Sequence, residues 1–132
     1  MAELVIKVKG IVKDGDTYLV VKKWYDDCVV NPYRWQFIDG DIEVGEDPAK
    51  AVVRVIKEQT GIDAVMDAPL YTWSNIVGER HIVGICYECF ALNKETVLCE
   101  DLIEYEWIPK DDFGKYIDNK AVLHDLANSN FA

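Results

Sequence analysis

Basic residues are scarce in this chain: 14 Lys and Arg stand against 24 Asp and Glu, a formal net charge of -10. A surface that acidic repels nucleic-acid backbones and disfavours a general DNA or RNA binder. It also repels the phosphates of a small nucleotide, unless a divalent cation or a local basic pocket intervenes. No run of about 18 apolar residues is present to span a membrane. The opening MAELVIKVKG has neither the basic region nor the long apolar core of a signal peptide. A cytoplasmic protein with no membrane partner is expected. Low-complexity tracts, internal repeats and interdomain linkers are missing as well. What remains is 132 residues, 50% of them apolar, which suits one domain over residues 1–132 closing a single core.

Cysteine is also thin, at four residues: Cys28, Cys86, Cys89 and Cys99. Cys86-x-x-Cys89 has the spacing of a metal knuckle, but no second pair follows to complete a zinc site. It lies in HIVGICYECFAL, an apolar stretch that reads as a strand. Side chains three apart on a strand point to opposite faces, so buried, reduced thiols are expected instead of zinc ligands.

The patterning runs as follows. Leu4 to Val12 alternates apolar and polar residues, Lys13-Asp14-Gly15-Asp16 supplies a turn, and Tyr18 to Val21 resumes the strand, which predicts a hairpin. A loop punctuated by Asn31-Pro32 leads to a short strand, Trp35 to Ile38, and then to an acidic stretch (Asp39, Asp41, Glu43) that reads as a loop. Asp47-Pro48 opens a helix, an acid at the cap and a proline in the first turn, and Gly61 closes it. Val52, Val55, Ile56 and Gln59 share one face of that helix. Strands are expected at Leu70 to Asn75, His81 to Leu92 and Tyr105 to Ile108, with a second helix or a broken pair from about Asp111 to Ala127. That order predicts an α/β fold, helices packed on a mixed sheet.

Gly40 to Ile62, GDIEVGEDPAKAVVRVIKEQTGI, is the most informative stretch. It resembles the Nudix box, G-x5-E-x7-R-E-U-x-E-E-x-G-U with U a bulky aliphatic residue. Gly40, Glu46, Arg54, Ile56, Glu58, Gly61 and Ile62 are in register, and Trp35-x-Phe37 precedes the box as it often does in that family. Val55 and Gln59 stand where the family carries glutamates. The resemblance implies a Nudix-type α/β/α sandwich and divalent-metal-dependent hydrolysis of a pyrophosphate. Such an enzyme neutralises adjacent phosphate charges with Mg2+ or Mn2+ before water attacks phosphorus.

Carried over by position, the resemblance makes Glu58 a metal ligand and gives Gln59 the place of a second one. It gives Val55 the place of a glutamate that ligates metal and, in some members, helps activate water. Gly40 lies where backbone carbonyl oxygen reaches the metal. Arg54 and Glu46 take the part of an ion pair that holds loop and helix together. Valine neither ligates nor accepts a proton, and an amide oxygen is a weak ligand for a hard cation. Loss of a general base alone lowers a rate by roughly 10²- to 10⁴-fold. Asp39, Asp41, Glu43 and Glu104 are candidates to compensate; Glu104 lies three residues before Trp107, where several family members carry a further metal-binding glutamate. The bland alternative for Asp39, Asp41 and Glu43 is a solvated acidic loop.

Trp35, Tyr71 and Trp73 are candidate stacking partners for a base, and Arg80 for a phosphate, although single rings and surface arginines serve more often in cores and ion pairs. The expected activity is hydrolysis of a nucleoside diphosphate linked to a further group (NDP-X), impaired by the two lost glutamates. The alternative is a catalytically inactive nucleotide-binding or interaction module. The partner in either case is a small nucleotide.

Overall fold

The computed structural model describes residues 3–24 and 33–129. Strand β1 (Glu3–Asp14) is the centre of the sheet. It pairs in parallel with β6 (Arg80–Ala91) on one side. On the other it pairs antiparallel with β2 (Thr17–Lys23) at its end and with β4 (Ile38–Asp41) at its beginning. Outside these, β5 (Ala64–Val77) pairs with β6, while β3 (Trp35–Gln36) and β7 (Leu102–Pro109) both pair with β2. The sheet is therefore mixed, as the sequence predicts.

Because β1 is covered on both faces, its alternation divides two cores. Val8 and Val12, with Leu19, Val21 and Ile38, pack under helix α1 (Pro48–Thr60). Ile11, Val20 and Phe37 pack on the opposite side with Phe113, Ile117 and Leu126. Phe113 and Leu126 come from the broken pair foreseen near the end of the chain, α2 (Phe113–Tyr116) after a single 3-10 turn and α3 (Lys120–Ala127), and Ile117 caps α2 between them. Helices on both faces make the α/β/α sandwich.

Local chemistry sets the bounds of α1. Asp47 accepts from the Ala49 N–H at 2.8 Å, Pro48 occupies the first turn, and Gly61 ends the helix at φ 73°, its N–H bonding to the Lys57 carbonyl. Val52, Val55 and Ile56 are buried on its inner face, and full burial of each such side chain contributes about 1.5–3 kcal/mol. No helix among the described residues is long and apolar enough to cross a membrane.

One reading of the sequence changes. Asp39, Gly40 and Asp41 are not loop; they belong to β4, opposite Lys9, Val8 and Lys7 of β1. The charges misled because their cross-strand neighbours are lysines, which turn an acidic run into half of a paired ladder. Cys86 and Cys89 do face opposite ways, one into each core, and burial pushes both thiols up to about 12. Cys28 and the Asn31-Pro32 loop lie outside the described residues.

Gly84 of β6 sits opposite Trp73 of β5, and a Cβ built there would stand 2.2 Å from the indole. The ring therefore lies across the bare backbone of β6 and reaches toward β1. Gly84→Ala is expected to displace Trp73 and destabilise the fold by about 1–3 kcal/mol, as overpacking does. Thermal melting checks this, and an unchanged Tm would mean that the indole does not lie on Gly84.

Candidate active site

The box folds back on itself through Arg54. Its Nε and Nη2 donate to the two carboxylate oxygens of Glu46 at 2.7 and 2.9 Å, the two-pronged geometry that guanidinium favours. Nη2 also donates to the Asp41 carbonyl at 2.8 Å, and Nη1 to Glu58 Oε2 at 3.0 Å. Glu46 in turn accepts from the Glu43 N–H at 3.1 Å, which closes the loop between β4 and α1. One side chain thus ties strand, loop and helix. The Arg54 hydrogen bonds, with that of Glu43, hold the Glu46 carboxyl below its ordinary value. Arg54 is pushed correspondingly up.

Beside this clamp lies a cleft of about 480 Å³, walled by Lys7, Lys23, Asp39, Gly40, Val55, Glu58 and Gln59 among others. Val55 is 3% exposed and belongs to the core under α1. A Cβ on Gly40 would come within 2.8 Å of its methyls, so α1 and β4 touch where the family's box holds a carboxylate. The Gln59 amide nitrogen donates to the Asp39 carbonyl at 2.6 Å, which leaves Gln59 Oε1 buried with no donor. That orientation is set by the carbonyl, which can accept from the nitrogen but not from the amide oxygen.

The other acids singled out in the sequence are engaged. Asp39 pairs with Lys23 at 2.8 Å and Asp41 with Lys7 at 2.9 Å. Burial raises the Asp39 carboxyl, but Lys23, Lys7 and Lys9 outweigh it and hold the group below its ordinary value. Glu104 does not line the cleft; it sits on β7 opposite Lys22, with 3.4 Å between their charged atoms. Glu58 is the one carboxylate at the box's metal positions, and it bonds to Arg54.

The donors do not fit a cluster of divalent cations. Among the described residues no three His, Cys, Asp or Glu side chains converge as a metal cage requires. At the box positions there is one carboxylate, one neutral amide oxygen turned away from donors, and one pair of methyls. The positive charge next to the acids is supplied by lysine.

A second, larger cavity of about 630 Å³ continues from the first, since Lys7 and Asp39 line both. Trp35 and Trp73 are in its wall, as the sequence suggests for stacking rings. Tyr71 is not; it packs against Trp73 with centroids 6.2 Å apart. Arg80 is at the start of β6 and lines neither cavity. Sequence reasoning missed Lys7, Lys9, Lys23, Gln36 and Asp125. The available signal was Ile6-Lys7-Val8-Lys9: two lysines facing one way on a strand that proves to be central.

A mixed sheet between helices, with a strand–loop–helix tied by an arginine clamp, is an α/β/α sandwich with a cleft where β4 meets α1. The family model for the NUDIX domain matches residues 4–126, and the chain belongs to that family. Members generally use divalent metals and act on small nucleotides. A nucleoside triphosphatase NudI of Salmonella agona is 23% identical over 124 aligned residues, covering 86% of this chain and 88% of the relative. The NudI of an Escherichia coli O1:K1 strain is 25% identical over 127, with 88% and 89% covered. Among solved structures, a MutT NUDIX hydrolase from Burkholderia pseudomallei superposes with a TM-score of 0.78 at 18% identity, covering 93% of this chain and 96% of the other. A NUDIX hydrolase from Nitrosomonas europaea gives 0.79 at 12%, covering 96% and 69%.

A carboxylate whose pKa is depressed on folding contributes stability above its unfolded value that is lost as pH falls through its folded value. Glu46→Gln should therefore lower Tm by a few degrees at pH 7. The gap from the natural protein should close as pH drops below 4.5, the ordinary value of the group. Melting curves from pH 7 to pH 3 check it; a gap that stays constant would mean that the clamp is not ionic.

Proposed function

We propose that this chain binds nucleoside diphosphate-linked (NDP-X) compounds in the two joined cavities and hydrolyses their pyrophosphate at a strongly attenuated rate. The observation that carries this is the seat of Val55 against Gly40, which puts methyl groups where the reaction needs a carboxylate. The family, the arginine clamp and the retained Glu58 support hydrolysis; Val55 and Gln59 support its attenuation. Glu58 would be the carboxylate left to hold a Mg2+ or Mn2+ ion, weakly, and such an ion would supply charge neutralisation at the phosphates.

The chain's own residues supply what is needed for binding. Lys7 and Lys23 line the first cleft, and each can exchange its carboxylate partner for a phosphate oxygen. With Arg54 they place three basic side chains among the acids of the cleft wall, where they can offset part of the repulsion expected from a protein of charge -10. One observation favours the second reading, a nucleotide-binding module without turnover. The Gln59 amide already occupies the Asp39 carbonyl, taking up a backbone oxygen at the start of the box.

Product release from dNTPs, ADP-ribose, dinucleoside polyphosphates and NADH tests the proposal, with Mg2+ and with Mn2+. The natural chain should turn over at least about 100-fold more slowly than Val55→Glu/Gln59→Glu, the loss that removing a general base typically brings. Glu58→Gln should lower the residual rate at least about tenfold further. Equal rates for the natural chain and the double variant would overturn the attenuation. No product from the natural chain, with nucleotide still bound in EDTA, would establish the second reading instead.

The same double variant makes a thermal prediction. A glutamate at position 59 faces the Asp39 carbonyl with no proton to donate, so the variant should melt below the natural chain in EDTA. Mg2+ or Mn2+ should raise its Tm and leave that of the natural chain unmoved, because a ligand stabilises only the state that binds it.

A further inference from the structure

The second cavity holds a reactive group that the proposed hydrolysis does not use, the amine of Lys9. The residue projects from the centre of β1, with Asp39 opposite on β4 and Cys86 opposite on β6. It is only 9% exposed, and it lines the cavity. Its Nζ stands 4.4 Å from the centroid of the Trp73 ring and 5.9 Å from that of Tyr71, so aromatic faces replace water beside it. Burial, which outweighs the charges of Cys86, Asp39 and Asp125, holds this amine below its ordinary value. A desolvated lysine in a cavity wall is a different reagent from a surface one. Each unit by which its pKa falls raises the share of neutral, nucleophilic amine at pH 7 about tenfold.

The neighbouring wall states what kind of ligand such an amine would meet. Lys7 lies two residues earlier on the same strand, so its side chain leaves the same face, roughly 7 Å away along β1. It lines both cavities and can exchange Asp41 for a phosphate oxygen. A neutral amine attacks the carbon of a carbonyl group, and aldehydes are the most open to that attack. The ligand that engages both lysines therefore carries an aldehyde and, a few bonds away, a phosphate. Trp35 and Trp73 offer ring faces to whatever joins the two.

We propose that Lys9 is a covalent capture site in the second cavity, forming a reversible imine with a phosphorylated aldehyde whose phosphate is held at Lys7. The lone pair on Nζ attacks the carbonyl carbon. The nitrogen gives both of its protons to the carbonyl oxygen, which leaves as water, and a C=N bond replaces C=O. No electrons are gained or lost, so the step needs no metal, oxidant or reductant. It goes beyond the pyrophosphate cleavage proposed for the box cleft and does not depend on it.

Pyridoxal 5′-phosphate is the probe, added to the natural chain in EDTA at neutral pH. Borohydride then delivers hydride to the imine carbon and fixes the adduct as a secondary amine, and peptide mapping by mass spectrometry shows which lysine carries it. Lys9 should be labelled at least about tenfold more than the exposed Lys50, the gain that one unit of pKa brings. Pyridoxal, which lacks the phosphate, should label Lys9 at least about tenfold less, the loss expected when a charge-assisted contact is missing. Excess inorganic phosphate should slow the reaction of the phosphorylated probe and leave that of pyridoxal unmoved. Lys9→Met should remove the imine absorbance while keeping its Tm, since methionine fills the place of the aliphatic stem. The map on the natural chain decides the matter even if that variant fails to fold. Label spread evenly over exposed lysines, or concentrated on Lys7 or Lys23, overturns capture at Lys9. Equal labelling of Lys9 by the two aldehydes overturns the phosphorylated class of ligand. Either result leaves the hydrolysis assays, and the reading they test, untouched.

Discussion

The contact between Val55 and Gly40 is the constraint on which the candidate site turns. It brings α1 and β4 together at the point where the chain leaves the sheet for the box loop. Because the two elements meet through methyl groups and a bare Cα, the helix face that the family uses for charge becomes part of the core. Arg54 then holds the flank, tied to Glu46, the Asp41 carbonyl and Glu58. Family scaffolding is retained while the charge arrangement inside it has changed.

That change is coherent across the cleft. Where carboxylates would gather cations, carboxylates are paired with lysines: Asp39 with Lys23 and Asp41 with Lys7. An ammonium is a fixed, strongly hydrated monovalent charge that can meet a phosphate oxygen but cannot polarise it as a divalent ion does. In the proposed reading, a cleft built this way recognises a phosphorylated ligand better than it cleaves one. The adjoining cavity, with its indole faces and buried Lys9, mixes apolar and charged walls where the first cleft is mainly ionic.

The box helix was legible from sequence because its determinants are local. Asp47, Pro48 and Gly61 act within a turn of where they stand, and the loss of carboxylates at Val55 and Gln59 can be read directly. The mixed sheet and the broken terminal helix pair followed from patterning for the same reason. The paired state of the acids was not legible. Lys7 and Asp41 are 34 residues apart, and only the register of β1 against β4 brings them together, so Asp39 to Asp41 read as loop. Glu104 looked available until the register of β2 against β7 set it beside Lys22. Lys9 went unnoticed because a lysine in an alternating strand reads as surface, unless both of the strand's flanks are known to be occupied.

The central claim is that this cleft, with acids paired to lysine and arginine, holds no tightly bound divalent cation. The direct measurement is the electron paramagnetic resonance of Mn2+ titrated into the natural chain at neutral pH, with Val55→Glu/Gln59→Glu alongside. Free aqueous Mn2+ has a sharp signal that is lost when the ion binds to protein. The account predicts that the signal persists at sub-millimolar Mn2+ with the natural chain and is lost with the double variant. Stoichiometric loss of the signal by the natural chain, at one or more ions per chain, would contradict it.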